Sequence, residues 1–199
     1  MRKSIGIVAI AFIALVIGVI WYGGRHTDRE DVPVPVEAYA PEIVEYPSFT
    51  MKDLDGKDRE FSEWHGRHRL LNFWATWCAP CRREIPLLKK FQAEQGDDGI
   101  LVMGIAVDFP EDVERYAEEA EFNYPILVGQ EEAMAVAESS GVMFIAMPFT
   151  MIISRDGEFL GAYLGELHRS HLDGISSILS RLDSGDIDAL QAKGALDLL

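Results

Sequence analysis

The chain has 199 residues, with 33 acidic and 18 basic side chains and a formal net charge of −15 at pH 7. This length accommodates one domain with a hydrophobic core plus roughly 40 further residues. The negative charge excludes nucleic acid as a partner, because so few basic side chains could not neutralise a row of phosphates. A solvated acidic surface without a specific partner is the simpler interpretation of this charge, and a basic partner is the alternative.

The amino-terminal segment predicts a membrane anchor. Residues 5–22 carry no charged side chain, and 18 residues are just enough to cross the hydrocarbon core as a helix. Arg2 and Lys3 predict that residues 1–4 stay in the cytoplasm. The rest of the chain then lies outside the inner (cytoplasmic) membrane, in the periplasm or an equivalent extracytoplasmic space. We therefore expect a single-pass signal anchor.

A cleaved signal peptide is the alternative for the same segment. Such a peptide has a shorter apolar region that ends in small residues of the A-x-A type. Here the apolar run ends in IWYGGR, and the A-x-A motif at 38–40 lies far downstream and is followed by Pro41. These features favour the uncleaved anchor.

Beyond the anchor, residues 23–45 are charged and rich in proline, which predicts a semi-extended tether. Strand and helix patterns then alternate over residues 46–183, which predicts an α/β domain. In chain order we predict a hairpin around DLDGK (53–57), strand RLLNFWA (69–75), helix 81–94, strand ILVMGIAV (100–107), acidic helix 111–122, strand YPILVG (124–129), helix 131–140, strand FTMIIS (149–154), strand EFLGAYLG (158–165) and helix 170–182. The closing hairpin predicts a mixed sheet with antiparallel strands at one edge. Residues 184–199 predict an additional helical tail.

Both cysteines of the chain lie in the stretch LLNFWATWCAPCRREIP, residues 70–86. A zinc site usually needs four N or S ligands, so this CxxC pair would require histidines as well. His65 with His68, and His168 with His171, have HxxH spacing, but solvated surface histidines explain them more simply. A structural disulfide is the other alternative, although closing so short a loop stabilises a fold only weakly.

A redox-active pair explains the flanking residues as well as the cysteines. The buried strand before WATW places Cys78 at the amino terminus of the next helix, where free N–H groups and the helix dipole favour a thiolate. Cys81 lies one turn later on the same face, within disulfide reach and nearer the interior. We therefore expect Cys78 to attack and Cys81 to resolve. Pro80 fits the first turn of this helix, and Pro86 is expected to kink it.

With these residues the sequence resembles the thioredoxin superfamily, most closely its membrane-anchored TlpA/ResA/DsbE (CcmG)-like branch. The resemblance rests on residues 70–86 and on AMPFT at 146–150, and it covers about residues 46–182. It implies a thioredoxin-like α/β fold, in which helices flank a mixed central sheet, with an N-terminal β-hairpin and a central insertion. Residues 108–129 resemble that insertion, and one transmembrane helix precedes the domain.

The same resemblance implies where a substrate binds. The family's cis-proline, which faces the cysteines, corresponds to Pro148, and Met147 would offer backbone groups to an extended substrate strand. Trp77, Ala79 and Pro80 are expected beside the substrate as well. An ordinary strand-entry proline is the alternative for Pro148.

Proton handling departs from thioredoxins proper. Those proteins carry a buried aspartate six residues before the first cysteine, where this chain has Asn72, and an amide cannot accept a proton from Cys81. ResA-like members carry an acid at the position of Glu84, one helical turn after Cys81. If it is buried, Glu84 has a raised pKa that suits it to moving a thiol proton. The alternative is a surface glutamate paired with a Lys or Arg of its own helix.

The resemblance implies a cofactor-free, metal-free thiol-disulfide oxidoreductase. Cys78 would attack a disulfide of a protein substrate and Cys81 would resolve the mixed disulfide. Implied partners are a DsbD/CcdA-type membrane electron donor and disulfide-bearing substrates such as apocytochrome c, in cytochrome c biogenesis, or a copper chaperone. Reduction of the substrate is the expected direction. A disulfide oxidase is the alternative, because the Ala79–Pro80 dipeptide only weakly indicates the reduction potential.

Two other functions are alternatives. A peroxiredoxin would carry PxxxTxxC, with Pro at position 71 and Thr or Ser at 75, where this chain has Leu71 and Ala75. A thiol-dependent metal carrier or envelope interaction module would bind Cu(I) or Zn(II) through the two cysteines. The lack of Met or His at ligand spacing beside the cysteines argues against metal binding.

Overall fold

The structure, a computed structural model, describes residues 45–141 and 144–199. The predicted anchor at 5–22, its cleavage-site alternative and all but the last residue of the tether at 23–45 lie outside the described residues. Within the described part of the chain, no helix has the length and apolar character needed to span a membrane.

The described elements follow the predicted order. The strands are β1 (Thr50–Asp53), β2 (Asp58–Glu60), β3 (Arg69–Trp74), β4 (Leu101–Ala106), β5 (Ile126–Val128), β6 (Phe149–Ile153) and β7 (Phe159–Leu164). The helices are α1 (Ala79–Gln95), α2 (Pro110–Ala120), α3 (Glu131–Glu138), α4 (Arg169–Asp183) and α5 (Ala189–Leu196), and a short 3-10 helix spans Phe61–Trp64. Helix α1 starts two residues before the predicted bound, because Cys78 is its N-cap, and it contains Pro86 in its interior.

The strands form one mixed sheet in the order β2-β1-β5-β4-β3-β6-β7. Strands β3, β4 and β5 are parallel to one another, as expected for strands joined through helices. Strands β6 and β7 add an antiparallel edge, as predicted. The opposite edge is antiparallel too, since β1 of the N-terminal hairpin pairs with β5. The sequence pattern predicts antiparallel strands at one edge only, because it does not reveal which strand the first hairpin joins.

Strand β3 lies at the centre of two hydrophobic layers. Its side chains alternate between the sheet faces, so Leu70 and Trp74 pack with both cysteines and with α1, whereas Leu71 and Phe73 pack on the other face. Every residue of β3 is buried, as its continuous apolar run predicts for a strand covered on both faces. Asn72 shares the face of Leu70 and Trp74, and it is therefore directed toward the layer that contains α1.

The tail forms helix α5, which packs against α4 and the edge strand β7. Asp188 caps it by accepting a hydrogen bond from the Gln191 N–H at 2.8 Å. Ala192 and Leu196 are buried in the core layer of α1. The tail therefore covers part of the last strand of the sheet.

Candidate active site

The two cysteines lie where β3 gives way to α1. Cys78 is the N-cap of α1, and its N–H donates to the Ala75 carbonyl at 3.1 Å. Cys78 and Cys81 form a disulfide with 5.3 Å between their Cα atoms, and the Cys81 N–H approaches Cys78 Sγ, with N and S 3.3 Å apart. Cys81 is completely buried, whereas Cys78 retains 6% exposure. A substrate sulfur would therefore reach Cys78 first, at the helix terminus that stabilises a thiolate.

A buried carboxylate, that of Asp108, fixes the loop before Cys78. Asp108 lies just beyond the end of β4. Because β4 is parallel to β3, the two strands end side by side, and Asp108 lies beside the loop that follows β3. Its Oδ2 accepts hydrogen bonds from the Thr76 N–H (2.8 Å) and the Thr76 hydroxyl (2.6 Å), and its Oδ1 accepts one from the Phe109 N–H (2.9 Å). Asp108 is not among the site residues predicted from the sequence. Its signal was an acidic residue directly after the buried strand that follows the CxxC helix.

The predicted substrate-contacting residues at the start of α1 surround Cys78. Trp77 is 68% exposed and Ala79 is exposed, whereas Pro80 is half-buried in the first turn of α1. Trp77 therefore presents a large, exposed aromatic side chain directly before Cys78, which is the kind of surface that forms apolar contacts between proteins.

Met147 and Pro148 lie near the same end of β3 as the cysteines, on the side where β6 pairs with β3. Pro148 directly precedes β6, which is antiparallel to β3 and pairs Phe149 with Phe73. Pro148 therefore lies near the end of β3 from which the cysteine loop departs. The Met147–Pro148 peptide bond is cis, and Met147 packs against the core layer that holds both cysteines.

Glu84 is buried on the inner face of α1, one turn beyond Cys81. Its Oε1 accepts a hydrogen bond from Asn72 Nδ2 at 2.8 Å, and its Oε2 accepts one from the Leu167 N–H at 2.6 Å. The amide of Asn72 also donates to Thr150 Oγ1 at 3.0 Å. Glu84 has no exposed surface, so the alternative of a surface glutamate paired on its own helix is wrong.

Burial raises the pKa of Glu84 from its ordinary 4.5 to about 7. Loss of solvation is the main cause, because it penalises the ionised carboxylate. The hydrogen bonds from Leu167 and Asn72 act in the opposite direction, and the negative charge of Glu166 adds to the rise. A carboxyl group of this kind exchanges protons near neutral pH, one helical turn from the buried sulfur.

Aromatic side chains from residues 108–129 close over the outer end of β3. The ring of Trp74 lies 5.5 Å from that of Tyr116 and 5.3 Å from that of Phe122. Tyr124 follows, with its ring 5.3 Å from that of Phe122, and burial raises the pKa of its hydroxyl, with the Glu84 charge contributing. The segment predicted to be an insertion thus supplies apolar cover on the side of the sheet that holds Glu84.

Histidines of both pairs make hydrogen bonds to other parts of the fold or within their own turn. The prediction of a solvated His68 is wrong: this side chain is buried between the end of β6 and the end of α4. Its Nε2 lies 2.9 Å from Asp183 Oδ1, and its Nδ1 accepts a hydrogen bond from the Arg155 N–H at 3.1 Å. His171 accepts the His168 N–H at the start of α4. Among residues 45–141 and 144–199, no cluster of three or more His, Cys, Asp or Glu could hold a metal ion.

The fold and the disulfide together define a thioredoxin-like thiol-disulfide oxidoreductase. A family model described as AhpC/TSA family matches residues 44–159, more than half of the chain, so the chain belongs to the AhpC/TSA family. The chain is also 28% identical over 174 residues to a thiol-disulfide oxidoreductase ResA from Geobacillus kaustophilus, which covers 87% of this chain and 91% of that protein.

Solved structures share the fold. A thiol:disulfide interchange protein of the thioredoxin family from Chlorobium tepidum is 24% identical, with a TM-score of 0.61 over 71% of this chain and 97% of that one. A Chlorobium tepidum structure described as a thiol:disulfide interchange protein DsbE is 22% identical, with a TM-score of 0.58 over 75% of this chain and 98% of that one. The chain is accordingly a thiol-disulfide oxidoreductase, similar to proteins named ResA, and its CxxC pair is Cys78 and Cys81.

Proposed function

We propose that this protein is a membrane-anchored reductase of disulfides in extracytoplasmic proteins. The observation that carries the proposal is the joint placement along one helix of Cys78, which retains 6% exposure, the completely buried Cys81 and the buried carboxyl of Glu84. The resemblance to the TlpA/ResA/DsbE-like branch implies a role in cytochrome c maturation or a related thiol-reducing pathway. Apocytochrome c or a copper chaperone would then be the substrate.

The reaction starts from the reduced pair. The Cys78 thiolate attacks one sulfur of the substrate disulfide, the substrate S–S bond breaks, and the departing substrate sulfur takes up a proton. Cys81 then loses its proton and attacks Cys78 Sγ, so that the second substrate sulfur leaves as a thiol. Two electrons have moved from the enzyme dithiol to the substrate. The Cys78–Cys81 disulfide of the structure is the product of this step.

Glu84 is the proposed acceptor of the Cys81 proton. Asn72 occupies the strand position and donates a hydrogen bond to Glu84, so it orients the carboxylate without competing for the proton. The raised pKa, about 7, keeps the carboxyl able both to gain and to lose a proton near neutral pH. The Glu84→Gln variant should slow disulfide exchange and change the pH dependence of Cys78 alkylation between about pH 5 and pH 9, and unchanged kinetics would rule out this role.

The substrate is proposed to lie along Met147 and Pro148, across the sulfur of Cys78. Trp77, Ala79 and Pro80 would contact it from the helix side. Exposed Trp77 and half-buried Met147 provide apolar surface on both sides of Cys78.

The membrane part of the proposal rests on the sequence alone. The uncharged run at 5–22 and the preceding Arg2 and Lys3 support a single-pass anchor in the inner membrane, with the catalytic domain outside. Electrons would come from a DsbD/CcdA-type membrane protein. Membrane fractionation and protease accessibility in spheroplasts test this arrangement, and a full-length soluble product would contradict it.

The direction of the reaction is tested by the reduction potential of the Cys78–Cys81 pair. A reductase requires a potential nearer the thioredoxin value of about −270 mV than the DsbA value of about −120 mV. Equilibration of the protein with glutathione or dithiothreitol buffers gives this number. A value near the DsbA end would replace the reductase proposal by the oxidase alternative.

A further inference from the structure

Residues 165–167, between β7 and α4, contact both Pro148 and Glu84. The Gly165 N–H donates to the Pro148 carbonyl at 2.9 Å, and the Leu167 N–H donates to Glu84 Oε2 at 2.6 Å. Glu166, between them, extends outward. Residues 165–167 therefore link Pro148, where a substrate is proposed to bind, with the buried carboxyl of Glu84.

An ion pair fastens this segment to α1. The guanidinium of Arg83 contacts the carboxylate of Glu166 through Nη2 at 2.6 Å and through Nε at 3.0 Å. Arg83 is the residue next to Glu84, and Glu166 is the residue next to Leu167. Residues 83–84 of α1 and residues 166–167 are thus connected twice, by an ion pair at the surface and by a hydrogen bond in the interior.

We propose that Arg83 and Glu166 are positioning residues, whose ion pair holds the Leu167 N–H on the Glu84 carboxylate and the Gly165 N–H on the Pro148 carbonyl. This inference rests on the proposed function only for its biological meaning. The positioning itself is a property of the oxidised protein. Neither residue touches the reacting sulfurs, and both act through their neighbours.

The free-energy scale of this effect is modest but measurable. The Arg83 side chain is 61% exposed and that of Glu166 is 25% exposed, so water screens the attraction. Exposed ion pairs contribute little to folding stability, and forked Arg–carboxylate geometry places this pair among the stronger of them. The ion pair need not hold the fold together, because it has only to keep the N–H groups of Leu167 and Gly165 on their two acceptors.

The sign of the effect on Glu84 follows from two contacts. The Leu167 hydrogen bond lowers the pKa of Glu84, and the Glu166 charge raises it. An Arg83→Met substitution loosens the Leu167 hydrogen bond and leaves the Glu166 charge without its counter-charge. Both changes raise the pKa of Glu84. A Glu166→Gln substitution would combine opposite effects, which makes Arg83 the better position to change.

The test uses the full-length, oxidised protein in detergent micelles. The pH titration of the Glu84 carboxyl is followed by ¹³C NMR, with Glu84→Gln identifying the resonance, and the exchange of the Leu167 amide is followed by hydrogen–deuterium exchange. Arg83→Met should raise the titration midpoint by roughly 0.3 to 0.7 pH units and speed the Leu167 exchange about two- to fivefold. Arg82→Met is the matched control, because Arg82 makes no ion pair within residues 45–141 and 144–199.

A charge reversal separates positioning from a loss of folding. The double variant Arg83→Glu, Glu166→Arg should return the Leu167 amide to slow exchange, while each single reversal should not. The inference is overturned if Arg83→Met behaves like Arg82→Met in both measurements, or if the double reversal exchanges as fast as the single ones. Neither readout involves turnover, so they are independent of whether Glu84 accepts the Cys81 proton, which the exchange kinetics of Glu84→Gln decide.

Discussion

Replacing Glu84 by Gln isolates the cost of burying an ionisable carboxyl in the core. The pKa of Glu84 rises from 4.5 to about 7 in the folded protein, a rise of about 2.5 pH units. Each pH unit corresponds to 1.36 kcal/mol, so the free energy of unfolding should change by about 3 kcal/mol across this range.

The direction of the change follows from which state holds the proton. Between pH 4.5 and about pH 7, the folded protein keeps a proton on Glu84 that the unfolded chain has lost. The free energy of unfolding of the wild type therefore falls as the pH rises through this range, and the full penalty is present above about pH 7. The Gln side chain does not ionise, so the variant lacks this term.

The assay is urea unfolding of the oxidised protein at a series of pH values between about 4 and 8, with linear extrapolation. Subtracting the wild type from Glu84→Gln removes the titration of all shared groups, and the difference should grow by about 3 kcal/mol in favour of the variant toward pH 8. Glu94→Gln, on the exposed side of the same helix, is the control and should change the difference by less than about 1 kcal/mol. A difference for Glu84→Gln that does not depend on pH would show that the pKa of Glu84 is not raised in the folded protein.

Three other substitutions test separate contacts of the fold and the site. Asp108→Asn replaces one accepting oxygen by an NH₂ group, so urea unfolding should show a loss of about 1 to 3 kcal/mol, and Cys78 of the reduced protein should be alkylated at a different rate; unchanged values would mean that Asp108 does not hold the loop. Burial lowers the pKa of His68 below 6.5 against the opposing effect of Asp183. The contribution of neutral His68 to stability is therefore complete above about pH 6.5 and is lost as the pH falls toward the folded-state pKa. His68→Gln should flatten this part of the plot of unfolding free energy against pH, and an unchanged slope would contradict the expectation. Leu88→Ala removes a completely buried side chain from the inner face of the active-site helix and should cost about 2 to 5 kcal/mol. The change at its half-buried neighbour, Leu87→Ala, should cost distinctly less.

The parts of the site that adjoin one another in the sequence could be predicted from it. The run RLLNFW predicts a strand buried on both faces, and the structure has β3 there with every residue buried. The WCAPC segment predicts a sulfur at a helix start followed by a more deeply placed one, and Cys78 and Cys81 have that arrangement. These predictions depend on hydrophobic periodicity and capping, which are local properties.

The contacts that join distant elements could not be predicted in the same way. Asn72 and Glu84 each stand out in the sequence, but their hydrogen bond depends on how α1 packs on β3. His68 has no local signal of burial, because its partner Asp183 comes from the last turn of α4. The sequence also gave no indication that Leu167 would donate to Glu84, since this contact requires the β7–α4 segment to turn back over the helix.

Cys78 is proposed to attack protein disulfides and Cys81 to resolve the mixed disulfide, and trapping of covalent partners is the sharpest test of these two roles. The Cys81→Ser variant, expressed in the native host, is predicted to accumulate mixed disulfides through Cys78 with extracytoplasmic proteins, which mass spectrometry would identify. The Cys78→Ser variant is the control and should trap none of these partners. Absence of covalent partners from Cys81→Ser, or equal capture by both variants, would contradict the proposed mechanism.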